Sequence, residues 1–263
     1  MADLDLARAM ATARRAVEAA SAAALVHFRR GVRVETKPDR TPVTVADREA
    51  EAAIAAVVRA AFPGHGFVGE ETGATHGSEE ARWIVDPIDG TRGFTRGGSF
   101  WGPLVALEHR GEIVAGAMAM PALSESYWAA RGLGAFVQRD GEDPVRLRVS
   151  GISAWGDATL SLGEMHFLLA PELAPKVLRL TATSAQARCY GDLAGCAMLL
   201  AGRAEAWLEA GVKSWDLAAL KILVEEAGGR FTDFAGRSTA EAGTCLASNG
   251  RVHEHVLSVL GGS

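Results

Sequence analysis

The sequence of 263 residues contains only three cysteines, Cys189, Cys196 and Cys245. They form neither a CxxC pair nor an even set, which argues against a disulfide framework and against a thiolate zinc site. We expect all three to be reduced and buried. Glycine and proline are spread through the chain without a period, which excludes collagen-like and low-complexity sequence, and no internal repeat is found.

Long apolar runs are also missing. No stretch reaches the roughly 20 consecutive apolar residues that a membrane-spanning helix needs, and the longest run near the N-terminus is only Ala22 to Val26. Asp3 and Asp5 precede any basic residue, which is unlike a secretory signal. We therefore expect a cytoplasmic protein with no membrane partner.

The chain has no excess of basic charge. It carries 27 Lys and Arg against 32 Asp and Glu, a formal net charge of -5. This excludes the strongly basic footprint of a nucleic-acid binder and favours small-molecule partners. With 48% hydrophobic and 22% charged residues, the chain can bury a core in one or two globular domains.

Apolar spacing predicts two helices at the start of the chain. The first covers about the first 30 residues and is stopped by Gly31, and the second carries Ala50, Ile54 and Val58 on one face. From Phe100 to Val137, β-rich runs alternate with turn residues, which predicts an antiparallel meander.

After Gly151 the pattern changes to alternating helix and strand. Helices are predicted near Asp192 to Ala201 and Trp215 to Ala227. Strands are predicted near residues 205–209, 230–232 and 245–248. We place a subdomain boundary here, between an N-terminal part (1–150) and a C-terminal part (151–263).

Acidic residues stand where short apolar strands end. Glu70 and Glu71 follow one such run, Asp86 and Asp89 follow another, and Asp216 lies in the first turn of a predicted helix. Strand ends and helix starts converge on clefts, so these side chains are expected to meet. Taken singly, each acid could equally be a solvated turn residue or a helix cap.

The segment after Asp86 has the chemistry of a binding turn. Pro87 stiffens the bend, Gly90 lets the backbone approach a ligand, and Thr91 is expected to cap a following helix. Facing carboxylates cannot all stay ionised without a cation, and oxygen ligands favour Mg²⁺. The amides of Gly90 and Thr91 suit a phosphate group. We interpret this turn as a metal and anion site.

Three segments resemble the defining motifs of the inositol monophosphatase family, which contains Mg²⁺-dependent, lithium-sensitive phosphatases. They are Gly69-Glu70-Glu71, Trp83-Ile84-Val85-Asp86-Pro87-Ile88-Asp89-Gly90-Thr91, and Trp215-Asp216-Leu217-Ala218-Ala219. Pro42-Val43-Thr44-Val45-Ala46-Asp47 and Glu226-Ala227-Gly228-Gly229 also match, so the resemblance covers nearly the whole chain. Within the family, Tyr127 to Gly132 and Gly191-Asp192-Leu193 are most similar to histidinol-phosphate phosphatases.

This resemblance implies a fold and an assembly. The fold is of the α/β (α+β) class, a layered αβαβα sugar-phosphatase fold. It has an N-terminal antiparallel sheet with helices, a C-terminal α/β part and metals at their junction. A homodimer is also implied.

The resemblance further implies a role for each site residue. One Mg²⁺ would be held by Glu70, Asp86 and the Ile88 carbonyl, and a second by Asp86, Asp89 and Asp216, giving two or three ions per subunit. Asp47 would hydrogen-bond Thr91, and this pair with Glu70 would activate the attacking water. The amides of Gly90 and Thr91 would bind phosphate. Hydrolysis of a phosphomonoester would then need no covalent phosphoenzyme.

Two further acids indicate the leaving group. Asp192 adds a carboxylate where inositol phosphatases typically carry a small residue, and Glu209 matches a position that contacts the leaving group together with Asp216. Acids favour a cationic aminoalcohol such as histidinol. Asp192 could instead only cap its helix. Inositol-1-phosphate, a broad range of phosphomonoesters, and a metal-stabilised binding protein without turnover are the alternatives.

Histidine offers no competing metal site in the sequence. His65, His76 and His166 lack a second histidine at helical spacing, so zinc binding is not predicted and we expect them in solvated loops.

Overall fold

The computed structural model of the chain describes residues 4–30, 34–36, 42–75 and 77–261. The α-helices in these residues are α1 (Leu6–His27), α2 (Val45–Ala61), α3 (Thr91–Thr95), α4 (Met165–Leu168), α5 (Ala174–Thr183), α6 (Asp192–Leu200), α7 (Ser214–Glu226) and α8 (His253–Gly261). The strands are β1 (Glu35–Thr36), β2 (Pro42–Val43), β3 (His65–Gly69), β4 (Gly73–Thr75), β5 (Ser78–Asp89), β6 (Gly102–His109), β7 (Glu112–Met120), β8 (Glu125–Ala130), β9 (Gly134–Arg139), β10 (Val145–Arg146), β11 (Thr159–Leu162), β12 (Gln186–Arg188), β13 (Ala206–Ala210), β14 (Arg230–Thr232) and β15 (Thr244–Ser248).

The two N-terminal helices begin at capping residues. The carboxylate of Asp5 accepts a hydrogen bond from the Arg8 amide at 2.9 Å, and Thr44 forms a capping box with Asp47 at the start of α2. The apolar faces of α1 and α2 pack together and bury small residues. Both predicted helices are confirmed. Helix α1 ends at His27, and Gly31, the predicted stop, lies outside the described residues.

The larger sheet has eight strands in the order β10-β9-β8-β7-β6-β5-β3-β4. Every neighbouring pair is antiparallel except β3 and β5, so the predicted meander is confirmed. Alternate residues of β5 face opposite sides. Trp83 and Val85 pack with α1 and α2, whereas Ile84 packs with the residues of α7. Asp86 is two residues beyond Ile84 and therefore faces the α7 side.

The smaller sheet has five strands in the order β12-β11-β13-β15-β14. The pairs β12–β11 and β11–β13 are parallel, and the other two are antiparallel. One face packs with α6 and α7, and the other packs with α5 and α8. The layers therefore run α1/α2, large sheet, α6/α7, small sheet, α5/α8. The predicted αβαβα architecture is confirmed, and the subdomain boundary after residue 150 stays a prediction.

Some details differ from the sequence-based expectations. Cys189 is exposed, whereas Cys196 and Cys245 are buried as expected. Cys189 directly follows β12, which lies at the edge of the small sheet and is open on one side. His65 begins β3, where its ring stacks on Phe62 at 4.6 Å, instead of lying in a solvated loop.

Further differences concern short or amphipathic elements. His166 lies in α4, and His76 is outside the described residues. Helices α4, α5 and α8 and strands β11 and β12 were not predicted. The structure also bears on membrane association. Among the described residues, no helix combines the length and apolar character needed to cross a bilayer.

One buried histidine predicts how stability depends on pH. The ring of His253 contacts the Ser248 hydroxyl at 2.7 Å and the Thr232 hydroxyl at 3.0 Å, and burial lowers its pKa to about 4. In the unfolded chain the His253 ring takes up a proton near pH 6.5, its ordinary pKa. As pH falls from 6.5 towards 4, the unfolded state is favoured and the free energy of unfolding decreases.

This pH effect can be measured by urea unfolding of the wild type and of His253→Gln, which does not titrate there. We expect the wild type to lose more stability than the variant between about pH 7.5 and about pH 4.5. Equal losses in both proteins would contradict a neutral, buried His253.

Candidate active site

Three carboxylates meet between the large sheet and α7. Single oxygen atoms of Asp86, Asp89 and Asp216 all lie within 4.8 Å of one another. Asp86 and Asp89 lie within β5 and not after it, because the strand continues through a register shift between them, at Pro87 and Ile88. A proline is tolerated at such a bulge because no ladder hydrogen bond is required of it.

Asp86 is the most constrained member of the cluster. Its side chain is 2% exposed, and its Oδ1 accepts a hydrogen bond from the Ile88 amide at 2.9 Å. Burial raises the pKa of Asp86 well above its usual range, and repulsion from Glu70, Asp89 and Asp216 raises it further. Without a cation, this cluster must retain protons. A divalent cation would remove that need, since the donors are all oxygen atoms.

Asp216 reaches the cluster from the first turn of α7. Its Oδ2 accepts a hydrogen bond from the Lys213 amide at 2.7 Å, which fixes the side chain at the start of the helix. The predicted position of Asp216 is therefore confirmed. Helix α7 packs on the face of the sheet toward which Asp86 points. The carboxylates of β5 and of α7 therefore lie together.

The turn after Asp89 is built on Gly90. Its φ of 77° lies in the left-handed region, which glycine adopts without strain. The expectation that Thr91 caps the next helix is wrong, because Gly90 occupies the N-cap position and Thr91 is the first residue of α3. The Thr91 hydroxyl instead donates to the Ile88 carbonyl at 3.0 Å.

Asp47 lies directly behind Thr91. The distance from the Thr91 hydroxyl oxygen to Asp47 Oδ1 is 3.5 Å. Asp47 Oδ2 accepts hydrogen bonds from the amide and the hydroxyl of Thr44, both at 2.7 Å. Burial raises the pKa of Asp47, the bonds from Thr44 lower it, and repulsion from Glu71 raises it. The expected contact between Asp47 and Thr91 is thus present in the fold.

Glu70 is placed by a residue that the sequence analysis missed. The Glu70 amide donates to the Val85 carbonyl at 3.1 Å, which places the residue beside β5. The next two amides, of Glu71 and Thr72, donate to the buried carboxylate of Glu51 at 2.9 and 3.0 Å. A side chain at Gly69 would collide with that carboxylate, since its Cβ would lie 2.4 Å from Glu51 Oε2. Glu51 therefore supports the turn that carries Glu70.

One signal in the sequence could have indicated Glu51. It lies four residues after Asp47, so both acids fall on the same, buried face of α2. A carboxylate on the apolar face of a helix requires hydrogen-bond donors, and these come from the turn after β3.

A cavity of about 300 Å³ extends from the acidic cluster towards the small sheet. Asp89 and Asp216 line one end, and Glu209 on β13 lines the wall. Glu209 is 6% exposed, and its Oε1 accepts hydrogen bonds from the amides of Glu164 at 2.7 Å and Ala210 at 3.0 Å. Gly163 leaves room for this carboxylate, because a Cβ there would lie 1.6 Å from Glu209 Oε2.

Asp192 begins α6, whose N-cap residue is Gly191. Gly191 lines the same cavity as Glu209. The side chain of Asp192 lies outside the part of the chain that the structure describes. Its pairing with a leaving group therefore stays a prediction.

Comparison with known proteins places the chain in a family. A family model described as "Inositol monophosphatase family" matches residues 5–261. The chain belongs to the inositol monophosphatase family. As a member of this family it is a phosphatase, so the predicted enzyme class is confirmed.

Individual members of the inositol monophosphatase family show the extent of the similarity. The histidinol-phosphatase of Mycobacterium tuberculosis is 41% identical over 229 residues, which cover 87% of this chain and 88% of that protein. The inositol-1-monophosphatase of Mesorhizobium japonicum is 36% identical and covers 82% and 81%. The extragenic suppressor protein SuhB of Bartonella henselae has a solved structure with a TM-score of 0.87 at 29% identity, covering 97% of this chain and 99% of that chain.

Removing the Glu51 carboxylate should loosen the Glu70 turn. In Glu51→Ala the amides of Glu71 and Thr72 lose their acceptor, which should lower the free energy of unfolding by about 1–3 kcal/mol. The Mg²⁺ concentration that gives half-maximal thermal stabilisation should also increase. Urea unfolding and a thermal-shift titration with Mg²⁺ measure the two effects.

The matched control is Glu49→Ala. Glu49 is an exposed acid on the same helix, and its carboxylate contacts the His27 ring at 2.7 Å. Glu49→Ala should leave both the free energy of unfolding and the Mg²⁺ concentration for half-maximal thermal stabilisation nearly unchanged. A Glu51→Ala protein with an unchanged Mg²⁺ titration would show that Glu51 does not position Glu70.

Proposed function

We propose that this phosphatase hydrolyses L-histidinol phosphate to histidinol and phosphate, a reaction of histidine biosynthesis. The observation that carries the proposal is the buried carboxylate of Glu209, which lines the cavity that also contains Asp89 and Asp216. Such a wall favours a cationic leaving group over a neutral one. The similarity to a relative named histidinol-phosphatase supports the same substrate.

The residues of the acidic cluster fit Mg²⁺. Asp86 would contribute to holding both of two ions, Glu70 and the Ile88 carbonyl would help to hold the first, and Asp89 and Asp216 would help to hold the second. A third ion could bind near Glu70 through water. The carbonyl of Ile88 accepts a hydrogen bond from the Thr91 hydroxyl, and its second lone pair is compatible with a cation. When bound, the ions supply a more acidic water and stabilise the departing alkoxide.

The residues around Thr91 would orient the nucleophile. Thr91 and Asp47 lie close enough to act as a pair, and Glu70 faces the same cluster. The pair and Glu70 would orient the attacking water and accept its proton. The amides of Gly90 and Thr91 would bind the phosphate oxygens at the start of α3. Water attacks phosphorus, the bond to the alcohol oxygen breaks, and the alcohol leaves with a proton, so no phosphoenzyme forms.

The opposite end of the cavity would select the alcohol. Glu209 is held by two backbone amides and is therefore fixed in position before substrate binds. Asp192 and Asp216 would add negative charge near the same alcohol. Histidinol offers an ammonium group and an imidazole ring to these acids.

Inositol-1-phosphate is the second candidate substrate. The observation that favours it is the similarity to a relative named inositol-1-monophosphatase at 36% identity. The same cluster and the same water-orienting residues would serve that reaction, so only the leaving-group end separates the two. Hydrolysis of a broad range of phosphomonoesters is the intermediate case.

Further properties are proposed with the function. They are a homodimer, a cytoplasmic location and a subdomain boundary after residue 150. Sedimentation of the purified chain tests the first of them.

The metal role of the acidic cluster is tested with Asp89→Asn. This variant should keep its circular dichroism spectrum but lose Mg²⁺-dependent phosphate release by at least about a hundredfold, equivalent to roughly 2.7 kcal/mol. It should also lose thermal stabilisation by Mg²⁺. Chelator added to the wild type should abolish turnover. Full activity of Asp89→Asn would contradict the assigned metal ligand, and a folded wild type without turnover would indicate a binding protein.

The substrate is tested by phosphate release from L-histidinol phosphate and from inositol-1-phosphate at matched concentrations. We expect kcat/KM to favour histidinol phosphate by about a hundredfold. Asp192→Asn and Glu209→Gln should each reduce this ratio, since each removes a negative charge near the leaving group. Equal or faster turnover of inositol phosphate would replace the proposed substrate, and an unchanged ratio in Asp192→Asn would leave that residue without a role in selection.

A further inference from the structure

The cavity that Asp89 and Asp216 line also carries an exposed aromatic ring. Phe167 lies in α4, lines the cavity and is 45% exposed. Its ring lies against the backbone of Gly211, because a Cβ at Gly211 would be only 2.2 Å from the ring atom Cδ2. Gly211 has a φ of +77° and no side chain, which leaves the space that the ring occupies.

A carboxylate accompanies this ring. Glu164 precedes α4, is exposed and lines the same cavity. Its Oε1 accepts a hydrogen bond from the His166 amide at 3.0 Å, which keeps the side chain at the start of the short helix. Its own amide holds Glu209 at 2.7 Å. Glu164 therefore lies between Glu209, which its amide holds, and Phe167 in the helix that it precedes.

A ring beside carboxylates is suited to a particular ligand group. The face of an aromatic ring attracts cations and stacks on planar groups, and nearby carboxylates strengthen the preference for positive charge. A neutral polyol offers neither a planar π system nor a charge.

We propose that Phe167 and Glu164 form a specificity wall, in which the Phe167 ring stacks on the planar cationic group of the leaving alcohol and the Glu164 carboxylate pairs with its charge. This inference rests on the proposed function, because it requires an alcohol with such a group, as histidinol has. It assigns substrate selection to α4, an element separate from the metal-binding residues.

The test compares Phe167→Leu, which keeps apolar volume but removes the π face, with Phe167→Tyr, which keeps the face. Phe167→Leu should lower kcat/KM for L-histidinol phosphate by about fivefold to thirtyfold, mainly through KM, and leave that for inositol-1-phosphate within about twofold. Phe167→Tyr should retain the wild-type ratio. Glu164→Gln keeps the backbone amide that holds Glu209 and should lower kcat/KM for L-histidinol phosphate only.

Leu169→Ala is the matched control, since Leu169 is a similarly exposed apolar residue just after α4 that does not line the cavity. It should not change the ratio. Equal losses on both substrates in Phe167→Leu, or equal behaviour of the Leu and Tyr variants, would overturn the specificity wall.

A binding measurement separates this inference from the proposed function. Calorimetric titration of each protein with histidinol reports on the alcohol pocket without turnover. Weaker histidinol binding in Phe167→Leu than in Phe167→Tyr supports the wall, and unchanged binding overturns it. A wild type that prefers inositol-1-phosphate overturns the proposed substrate, whichever way the histidinol titration comes out.

Discussion

Repulsion among buried carboxylates is the constraint on which the arrangement of this protein depends. Asp86 is almost fully buried, and the acids around it raise its pKa, so the folded chain concentrates negative charge at one place between the large sheet and α7. Burying like charges is unfavourable unless protons or a cation compensate. The packing of α7 on β5 that completes the layers therefore also assembles the candidate cation site.

Backbone amides orient the acids of the site. Five of them accept at least one such hydrogen bond at 2.7–3.0 Å. The donors are Thr44 for Asp47, Ile88 for Asp86, Lys213 for Asp216, Glu71 and Thr72 for Glu51, and Glu164 and Ala210 for Glu209. An amide is fixed by the fold and loses little entropy when a ligand binds. The carboxylates are thus in place before a metal ion or a substrate arrives, which is what electrostatic catalysis requires.

The residues that line the cavity come from different parts of the fold. Asp89 and Asp216, which we propose as metal ligands, line it together with Glu209, Glu164 and Phe167, which we propose to contact the alcohol. Asp89 and Asp216 lie on a long strand and a long helix, Glu209 lies on β13, and Glu164 and Phe167 lie at the short helix α4. Short elements can change without disturbing the layers, so substrate selection can vary on a constant catalytic scaffold.

The sequence by itself determined those elements whose pattern is set by residues close together in the chain. The helical spacing of α1 and α2, the meander, the first turn of α7 and the acidic motifs with Asp86 and Asp216 were all predicted, because each is encoded by near neighbours. Tertiary structure alone decided the rest. Glu51 supports the Glu70 turn from about 20 residues away, and Phe167 lies against Gly211, which is far from it in the chain. These contacts join residues that are distant in the chain, and only the packing of layers determines which of them meet.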